Sequence, residues 1–150
     1  MRLPISACVL LAAAMLVGGA CGGSSDGAPA SNAATISKTV FVRKAEAICA
    51  VSKRKILAGF QRVGSEHADH FQEAKIAMMA EVVTPALEAQ NRKIRALGAP
   101  AGDAAQVNAI LETTQAVIEE GPKKLARSYT FYREAGKLAR EYGLPTCSFE

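Results

Sequence analysis

The sequence predicts an all-α fold, an up-down-up-down four-helix bundle closed by one disulfide. Three observations predict it. Apolar residues recur at intervals of three and four in four separate segments, the spacing that lines one face of a helix. Short connections marked by glycine and proline separate the segments and favour antiparallel neighbours. Finally, Cys49 lies in the first segment and Cys147 lies just after the last.

Residues 1–20 are predicted to be an export signal that is removed from the mature protein. A short basic start containing Arg2 precedes an apolar run from Leu3 to Val17, and small residues lead to Cys21. The apolar run is shorter than the roughly 20 residues that a membrane span needs. The small residues suit both ordinary signal peptidase and lipoprotein processing, although Gly18 stands where a lipobox usually has leucine.

The cysteine count favours lipoprotein processing at Cys21. Cys8 leaves with the leader, so Cys21, Cys49 and Cys147 remain, and an odd thiol is a liability in an oxidising compartment. Attachment of lipid, such as palmitate, to Cys21 leaves the other two cysteines as a pair. We therefore expect an exported protein anchored on the outer face of the cell membrane. The alternative is a secreted protein with a free or mispaired Cys21.

Residues 21–36 are predicted to be a flexible tether because their small and polar residues show no periodicity. Residues 37–150 are then long enough for one helical domain with one core.

The first predicted helix starts with Ser37 or Thr39 as its N-cap and runs to about Val63. Gly64 is expected to end it, and Ser65 is expected to cap the next helix. The predicted apolar face contains Phe41, Ala45, Ile48, Cys49, Ser52, Ile56, Gly59, Phe60 and Val63.

The second predicted helix is long and covers residues 66–97. Pro85 interrupts it, which predicts a kink, or two helices that meet with Thr84 as the cap. Its two adjoining apolar faces contain Phe71, Ala74, Ile76, Met78, Met79, Val82, Val83, Leu87, Ile94 and Leu97.

The third predicted helix follows a turn at residues 98–102. Asp103 and Gln106 have the spacing of a capping box, and Gly121-Pro122 is expected to stop the helix. Its predicted core face contains Val107, Ile110, Leu111, Thr114, Val117 and Ile118.

The fourth predicted helix covers residues 123–142 and ends at Gly143, which is placed as a C-cap. In an up-down bundle this end lies beside the start of the first helix, so residues 143–147 can fold back to Cys49. The predicted core face contains Leu125, Tyr129, Tyr132, Ala135, Leu138, Ala139 and Tyr142, with Phe131 flanking it.

Four stretches together carry a family resemblance: residues 44–49, Pro85-Ala-Leu, residues 97–103, and residues 135–147. With the lipoprotein-like leader, the chain resembles a group of small exported helical proteins of actinobacterial type. The resemblance covers essentially the whole mature chain. It implies location and fold, and it implies no activity.

One cluster suggests metal binding. Glu66 and His70 are four residues apart, and His67 and His70 are three apart, so on a helix they would share a face and could hold a divalent ion. The competing interpretation is an ordinary polar helix face, since acids are favoured in first turns. Further ligands would come from Glu73, Glu119 or Glu120.

The net charge of +4 is mild and does not indicate nucleic-acid binding. Basic residues on the first and fourth helices would meet at one end of the bundle and form a patch for anionic lipid or cell-wall polymers, or simply a solvated face. They are Lys53, Arg54, Lys55, Arg62, Lys123, Lys124 and Arg127.

No pairing of a nucleophile with a base indicates an enzyme. We expect a non-catalytic cell-envelope lipoprotein domain without a cofactor, which serves as a protein- or surface-interaction module. The alternative is a metal- or small-ligand-binding lipoprotein that uses the region around His67 and His70.

Overall fold

In this computed structural model, residues 35–127 and 132–148 are described. The predicted leader, Cys21, Tyr129 and Phe131 lie outside them, as does most of the predicted tether. The described residues are mostly helical and include no strand, and one disulfide joins Cys49 to Cys147, so the all-α class is confirmed. The elements are α1 (Lys38–Glu66), α2 (Phe71–Ala77), a π-helix (Met78–Val83), α3 (Thr84–Arg95), α4 (Ala104–Glu119), α5 (Pro122–Leu125), α6 (Tyr132–Tyr142) and a 3₁₀ turn (Pro145–Cys147).

Helix α1 begins as predicted and ends later than predicted. The Ser37 hydroxyl accepts a hydrogen bond from the Val40 backbone N–H at 3.4 Å, which makes Ser37 the N-cap. The helix continues through Gly64 to Glu66, and the Ser65 hydroxyl donates to the Arg62 carbonyl instead of capping a new helix. A helical glycine costs only about 1 kcal/mol. The ion pair between Arg62 and Glu66, at 2.8 Å, spans Gly64 and holds the last turn.

The second predicted helix is divided into three elements. Residues 67–70 form a turn before α2, and π-helical turns lead from α2 into α3. Thr84 has helical dihedral angles and does not act as an N-cap, which corrects that prediction. Pro85 lies in the first turn of α3 and has no N–H to donate. The wider π spacing just before it accommodates the interrupted hydrogen-bond pattern.

Helix α4 has the predicted core face, since all six residues predicted to face the core are buried. The predicted capping box is wrong. Asp103 is at the N-cap position but makes no side-chain cap hydrogen bond, because its carboxylate accepts from the Tyr142 hydroxyl instead. Gly121, with φ of 79°, follows α4 and stops that helix as expected.

The fourth predicted helix is described only in two parts, α5 and α6. The predicted C-cap is confirmed, since Gly143 has φ of 101° and its N–H donates to Arg140 O at 3.0 Å. The Leu144 N–H donates to Ala139 O at 2.8 Å, which completes a Schellman motif. This motif turns the chain back and buries Leu144 beside the core.

Helix α1 packs on α3, α3 packs on α4 and α4 packs on α6, while the 3₁₀ turn lies against both α1 and α6. The core has two clusters. The disulfide cluster contains Phe41, Ala45, Cys49, Ile94, Val107, Ile110, Leu111, Ala139, Tyr142, Leu144 and Cys147. The π-side cluster contains Ile56, Val63, Met79, Val82, Val83, Leu87, Val117, Ile118, Leu125 and Ala126.

None of the helices in residues 35–127 and 132–148 combines the length and apolar composition needed to cross a bilayer.

Candidate functional site

The C-terminal tail is fixed to α1 at two positions one helical turn apart. Cys49 and Cys147 are separated by 98 positions in sequence, and their Cα atoms lie 5.0 Å apart. One turn earlier, Glu46 accepts a hydrogen bond from the Thr146 backbone N–H at 3.0 Å and another from the Thr146 hydroxyl. The sequence predicted the disulfide and missed Glu46. These contacts hold the tail in place and leave no free thiol for chemistry at either cysteine.

A second polar cluster joins the start of α1 to the end of α6. The Tyr142 hydroxyl donates to Asp103 Oδ2 at 2.8 Å, and Lys38 Nζ lies 3.3 Å from the same oxygen. The hydrogen bond from Tyr142, aided by Lys38, lowers the pKa of the Asp103 carboxyl. Burial and the neighbouring Asp103 raise the pKa of Tyr142. Both groups therefore keep a fixed protonation state at neutral pH, and this cluster acts as a structural contact.

The predicted metal ligands do not share a helix face. Glu66 ends α1, His67 is its C-cap, and His70 precedes α2, so the two histidines lie in the turn between helices. Glu66 pairs with Arg62. Among the described residues, no three His, Cys, Asp or Glu side chains form a group that could hold a metal ion. The geometry therefore gives the metal hypothesis no support.

Glu119 and Glu120, the expected further metal ligands, have other partners. Glu119 accepts a hydrogen bond from the Gln115 side-chain amide at 3.1 Å, and Glu120 lies 2.9 Å from Lys124 Nζ.

The predicted basic patch is partly neutralised. Arg62 contacts both Glu66 and Glu81, and hydrogen bonds from its guanidinium to these carboxylates raise the pKa of Arg62. The pairing of Lys124 with Glu120 removes a second cation from the patch. Lys55 keeps an exposed cation on α1, and it lies at the edge of a groove that the sequence did not predict.

This groove, the α1–α3 groove, has a volume of about 290 Å³ and is bounded by α1 on one side and by the π-helix and α3 on the other. Gly59 allows the close approach at one end. A Cβ atom at Gly59 would lie 2.7 Å from Val82 Cγ2 and nearer still to Cγ1, so any larger residue would have to displace Val82. In the middle of the groove, the Ser52 hydroxyl donates to the Ala86 carbonyl at 3.1 Å and links the two walls. The groove is therefore formed by helices in direct contact.

The groove contains one buried polar atom without a partner. Gln90 is 6% exposed, and its Oε1 makes no hydrogen bond within the described part of the chain. Such an unpaired group costs about 1–3 kcal/mol. The adjacent Asn91 is satisfied, because its amide donates to Leu111 O at 2.9 Å. Gln90 thus differs from Asn91: the residue lines the groove, but its Oε1 atom is enclosed by the protein and has no hydrogen-bond partner among the described residues.

The edges of the groove carry more positive than negative charge. Lys55, Arg62 and Lys93 line it together with a single acid, Glu81, which lies 3.2 Å from Arg62. No ion pair within the described ranges joins Lys55 or Lys93 to an acid. The groove therefore combines an apolar floor, a buried amide and two lysines available to a ligand.

A second cavity, of about 310 Å³, lies between α4 and α6 and is lined by Ala109, Leu138 and Tyr142 among others. The Tyr142 hydroxyl is already bonded to Asp103. This cavity offers no unsatisfied group that would select a ligand, so the α1–α3 groove is the better candidate.

Sequence reasoning placed Ser52 on the apolar face of the first helix and did not single out Gln90. One signal was available, because Gln90 and Asn91 fall between Leu87 and Ile94, where the helix turns its apolar face inward. Two adjacent amides at core positions mark either buried hydrogen bonds or a binding surface.

No protein-family model, curated protein or solved structure matches the chain.

Proposed function

We propose that this protein is a non-catalytic domain of the cell envelope that is anchored through lipid at Cys21 and binds a protein partner at the cell surface. The observation that carries the proposal is the disulfide between Cys49 and Cys147. Disulfides persist in oxidising compartments outside the cytosol. Export explains the disulfide, and lipidation explains a third mature cysteine that has no partner left.

For the arrangement of the domain, we propose the up-down-up-down bundle, with α5 and α6 together as its fourth member. The order of contacts along neighbouring helices supports antiparallel neighbours. Ser52 of α1 contacts Ala86, while Gly59, later in α1, lies against Val82, earlier in the chain than Ala86. Leu87 of α3 shares a core cluster with Val117 of α4, while Ile94 shares the other with Val107. Tyr142 at the end of α6 contacts Asp103 just before α4. A closed helical domain on a tether also fits the small exported proteins of actinobacterial type that the sequence resembles.

Binding is favoured over catalysis by the contents of the α1–α3 groove. It presents the exposed cations of Lys55 and Lys93 beside the apolar side chains of Val51, Ala86 and Ala89, a combination suited to recognition. The groups with shifted pKa values in the Asp103 and Tyr142 cluster bond to each other. Recognition by a rigid helical surface is therefore the activity that these residues support best.

The anchor is tested by replacing Cys21 with serine and expressing the full chain in a bacterium that processes lipoproteins. We expect an alkyne analogue of palmitate to label the wild type, which stays with the membrane fraction. C21S should be unlabelled and released into the medium.

The matched control is Cys8→Ser, which changes a cysteine inside the leader and should leave labelling intact. Wild-type protein that takes up no label, or C21S that remains membrane-bound to the same extent, would contradict the anchor.

A further inference from the structure

We infer that the outer face of α1 binds the anionic surface of a lipid bilayer and lays the domain against the membrane that the proposed anchor enters. This outer face is formed by the exposed residues Arg43, Lys44, Ala47, Val51, Arg54, Leu57 and Ala58. The inference goes beyond the proposed function, because it adds a second membrane contact made by the folded domain itself. It rests on the proposed anchor only for the distance between α1 and the bilayer.

Positive charge is concentrated on α1. Seven of the 18 lysine and arginine residues belong to this helix, against two of the 14 acids, Glu46 and Glu66. Helix α1 therefore has a net charge of +5, whereas the rest of the sequence has a net charge of −1. A basic amphipathic helix of this kind is typical of segments that bind membrane surfaces.

The two acids of α1 do not neutralise its outer face. Glu46 accepts hydrogen bonds from the C-terminal tail, and Glu66 pairs with Arg62 at the far end of the helix. In the part of the chain that the structure describes, no ion pair joins any of the three cations of the outer face to an acid. These cations are therefore available to anions outside the protein.

The shape of the outer face suits a flat surface. One line of residues runs along α1 opposite its buried side, at intervals of three and four, and its members are Arg43, Ala47, Val51, Arg54 and Ala58. At 1.5 Å per residue the line is roughly 20 Å long. All of its members are exposed, so a flat bilayer can contact them at the same time.

Apolar side chains lie among these cations. Val51 is 37% exposed, and Leu57, which flanks the line, is 55% exposed. A bilayer accommodates both kinds of group, because basic side chains meet anionic headgroups while apolar side chains enter the boundary between headgroups and acyl chains. A soluble anionic polymer of the cell wall would pair with the cations and leave Leu57 in water. The bilayer therefore accounts for one more observation, and the polymer is treated as an outcome of the test.

The proposed anchor brings α1 within reach of the bilayer. Helix α1 begins at Lys38, 17 positions after Cys21, and every other helix follows it in the chain. A flexible chain of about 16 residues spans roughly 20–25 Å on average. A tether of this length makes contact between α1 and the bilayer an intramolecular step, so a contact that is weak on its own is sufficient.

The test uses the full mature chain with Cys21→Ser, so that no attached lipid contributes to binding. Co-sedimentation is measured with vesicles of phosphatidylcholine alone and with vesicles of equal parts phosphatidylcholine and phosphatidylglycerol. We expect binding to the anionic vesicles only. Raising the salt from about 0.1 M to about 1 M shortens the Debye length from about 10 Å to about 3 Å and should weaken this binding by about tenfold or more.

Two matched pairs of substitutions separate the outer face from net charge. Lys44→Gln combined with Arg54→Gln should weaken binding by about tenfold or more, because each basic residue near an anionic surface contributes about fivefold. Lys137→Gln combined with Arg133→Gln removes the same residue types from exposed positions on α6 and should leave binding nearly unchanged. Circular dichroism should show that both pairs remain folded, since all four side chains are exposed.

A further variant tests the apolar contribution. Leu57→Gln keeps every charge and should weaken binding to anionic vesicles by about threefold or more, because the side chain no longer enters the boundary of the acyl chains. Binding to soluble polyglycerol phosphate, measured in parallel, should be weaker than binding to the vesicles.

The inference is overturned if the chain does not bind anionic vesicles, or if the two pairs of substitutions weaken binding equally, because net charge alone would then explain it. It is also overturned if polyglycerol phosphate binds more tightly than the vesicles and Leu57→Gln changes neither, because the outer face would then be a site for an anionic polymer.

Failure of this inference and failure of the proposed function give different results. Palmitate labelling without vesicle binding would refute the membrane contact of α1 and leave the anchor standing. Vesicle binding without palmitate labelling would refute the anchor and leave the contact standing, because the vesicle assay uses the chain without lipid. In cells C21S should still be released, since the contact of α1 alone is reversible and is screened at physiological salt.

Discussion

The two halves of the core are held together by different means. Around the disulfide cluster, three links tie α1, α4, α6 and the tail together. They are the disulfide, the contact of Glu46 with Thr146 and the contact of Tyr142 with Asp103. The π-side cluster relies mainly on apolar packing, with the exposed ion pair of Arg62 and Glu81 as a polar link between α1 and the π-helix. The Oγ1 atom of Thr84 is buried there without a hydrogen-bond partner among the described residues.

Exposed apolar side chains are also found toward the second half. Leu57 is 55% exposed and Phe71 is 70% exposed, with Lys75 over the Phe71 ring at 5.5 Å. The α1–α3 groove runs alongside both clusters, since it is lined by Ile48, which packs on the disulfide cluster, and by Val82 of the π-side cluster. The half with the disulfide therefore holds the helices in place, whereas the half with the π-helix leaves apolar surface exposed that is available to a partner.

The largest expected effect comes from opening the disulfide. Replacing Cys49 and Cys147 with serine should lower the free energy of unfolding by about 4–5 kcal/mol, because the unfolded chain regains the freedom of a 98-residue loop. The melting temperature followed by circular dichroism should fall by well over about 5 °C. Reductant should lower the wild-type value similarly and have no effect on the double variant. If reductant leaves the melting temperature of the wild type unchanged, the two halves of the core are held equally well without the disulfide.

A smaller effect is expected where the π-helix meets α1. Gly59→Ala should lower the free energy of unfolding by about 1–3 kcal/mol, because the new methyl group overlaps Val82. Gly64→Ala is the matched control, since its Cβ would meet no atom within 4 Å. The control should raise stability by about 0.5–1 kcal/mol through better helix propensity. Urea denaturation measures both, and equal effects would show that the two helices do not touch at Gly59.

Removing the second attachment of the tail should have a lesser effect. Glu46→Gln replaces a carboxylate that accepts from Thr146 and should cost about 1 kcal/mol. Glu112→Gln, an exposed change on α4, should cost close to nothing by the same urea measurement. If the two variants are equally stable, the disulfide alone holds the tail.

The smallest effect is a change in pH dependence. The pKa of Asp103 is lowered in the folded state, so its ionised form stabilises the fold above the unfolded pKa of about 3.9. This contribution is lost as the pH falls through the folded pKa. The difference in unfolding free energy between wild type and Asp103→Asn should therefore shrink as the pH is lowered from about 6 to about 2.5. Tyr142→Phe should reproduce part of the effect. If the unfolding free energies of wild type and Asp103→Asn differ by the same amount at every pH, the stabilising role of the ionised Asp103 is contradicted.

The features predicted correctly depend on local sequence. The core face of α4, the cap at Ser37 and the turn at Gly143 each follow from residues within a few positions of one another. The disulfide was predicted by counting cysteines, because the expected lipidation at Cys21 would leave Cys49 and Cys147 as the pair.

The features that were missed depend on residues distant in sequence. Asp103 has a capping sequence, yet Tyr142, 39 residues away, takes its carboxylate. Glu46 and Thr146 are 100 residues apart, and nothing near either one indicates their contact. The face shared by His67 and His70 was inferred from spacing that is meaningful only inside a helix, and the chain turns there instead. Gln90 becomes notable only when its surroundings offer no partner.

The position of the disulfide also determines how the domain would bear mechanical tension. If the chain is pulled between the start of α1 and the end of the tail, the load enters at Lys38 and reaches Cys49 after about three helical turns. From there it crosses the sulfur atoms to Cys147, which is 98 positions further along the chain, and bypasses everything between the two cysteines. Only the first turns of α1 can be extended by such a pull. The groove lies almost entirely within the bypassed segment, so a partner bound there would remain attached while the ends of the domain are stretched.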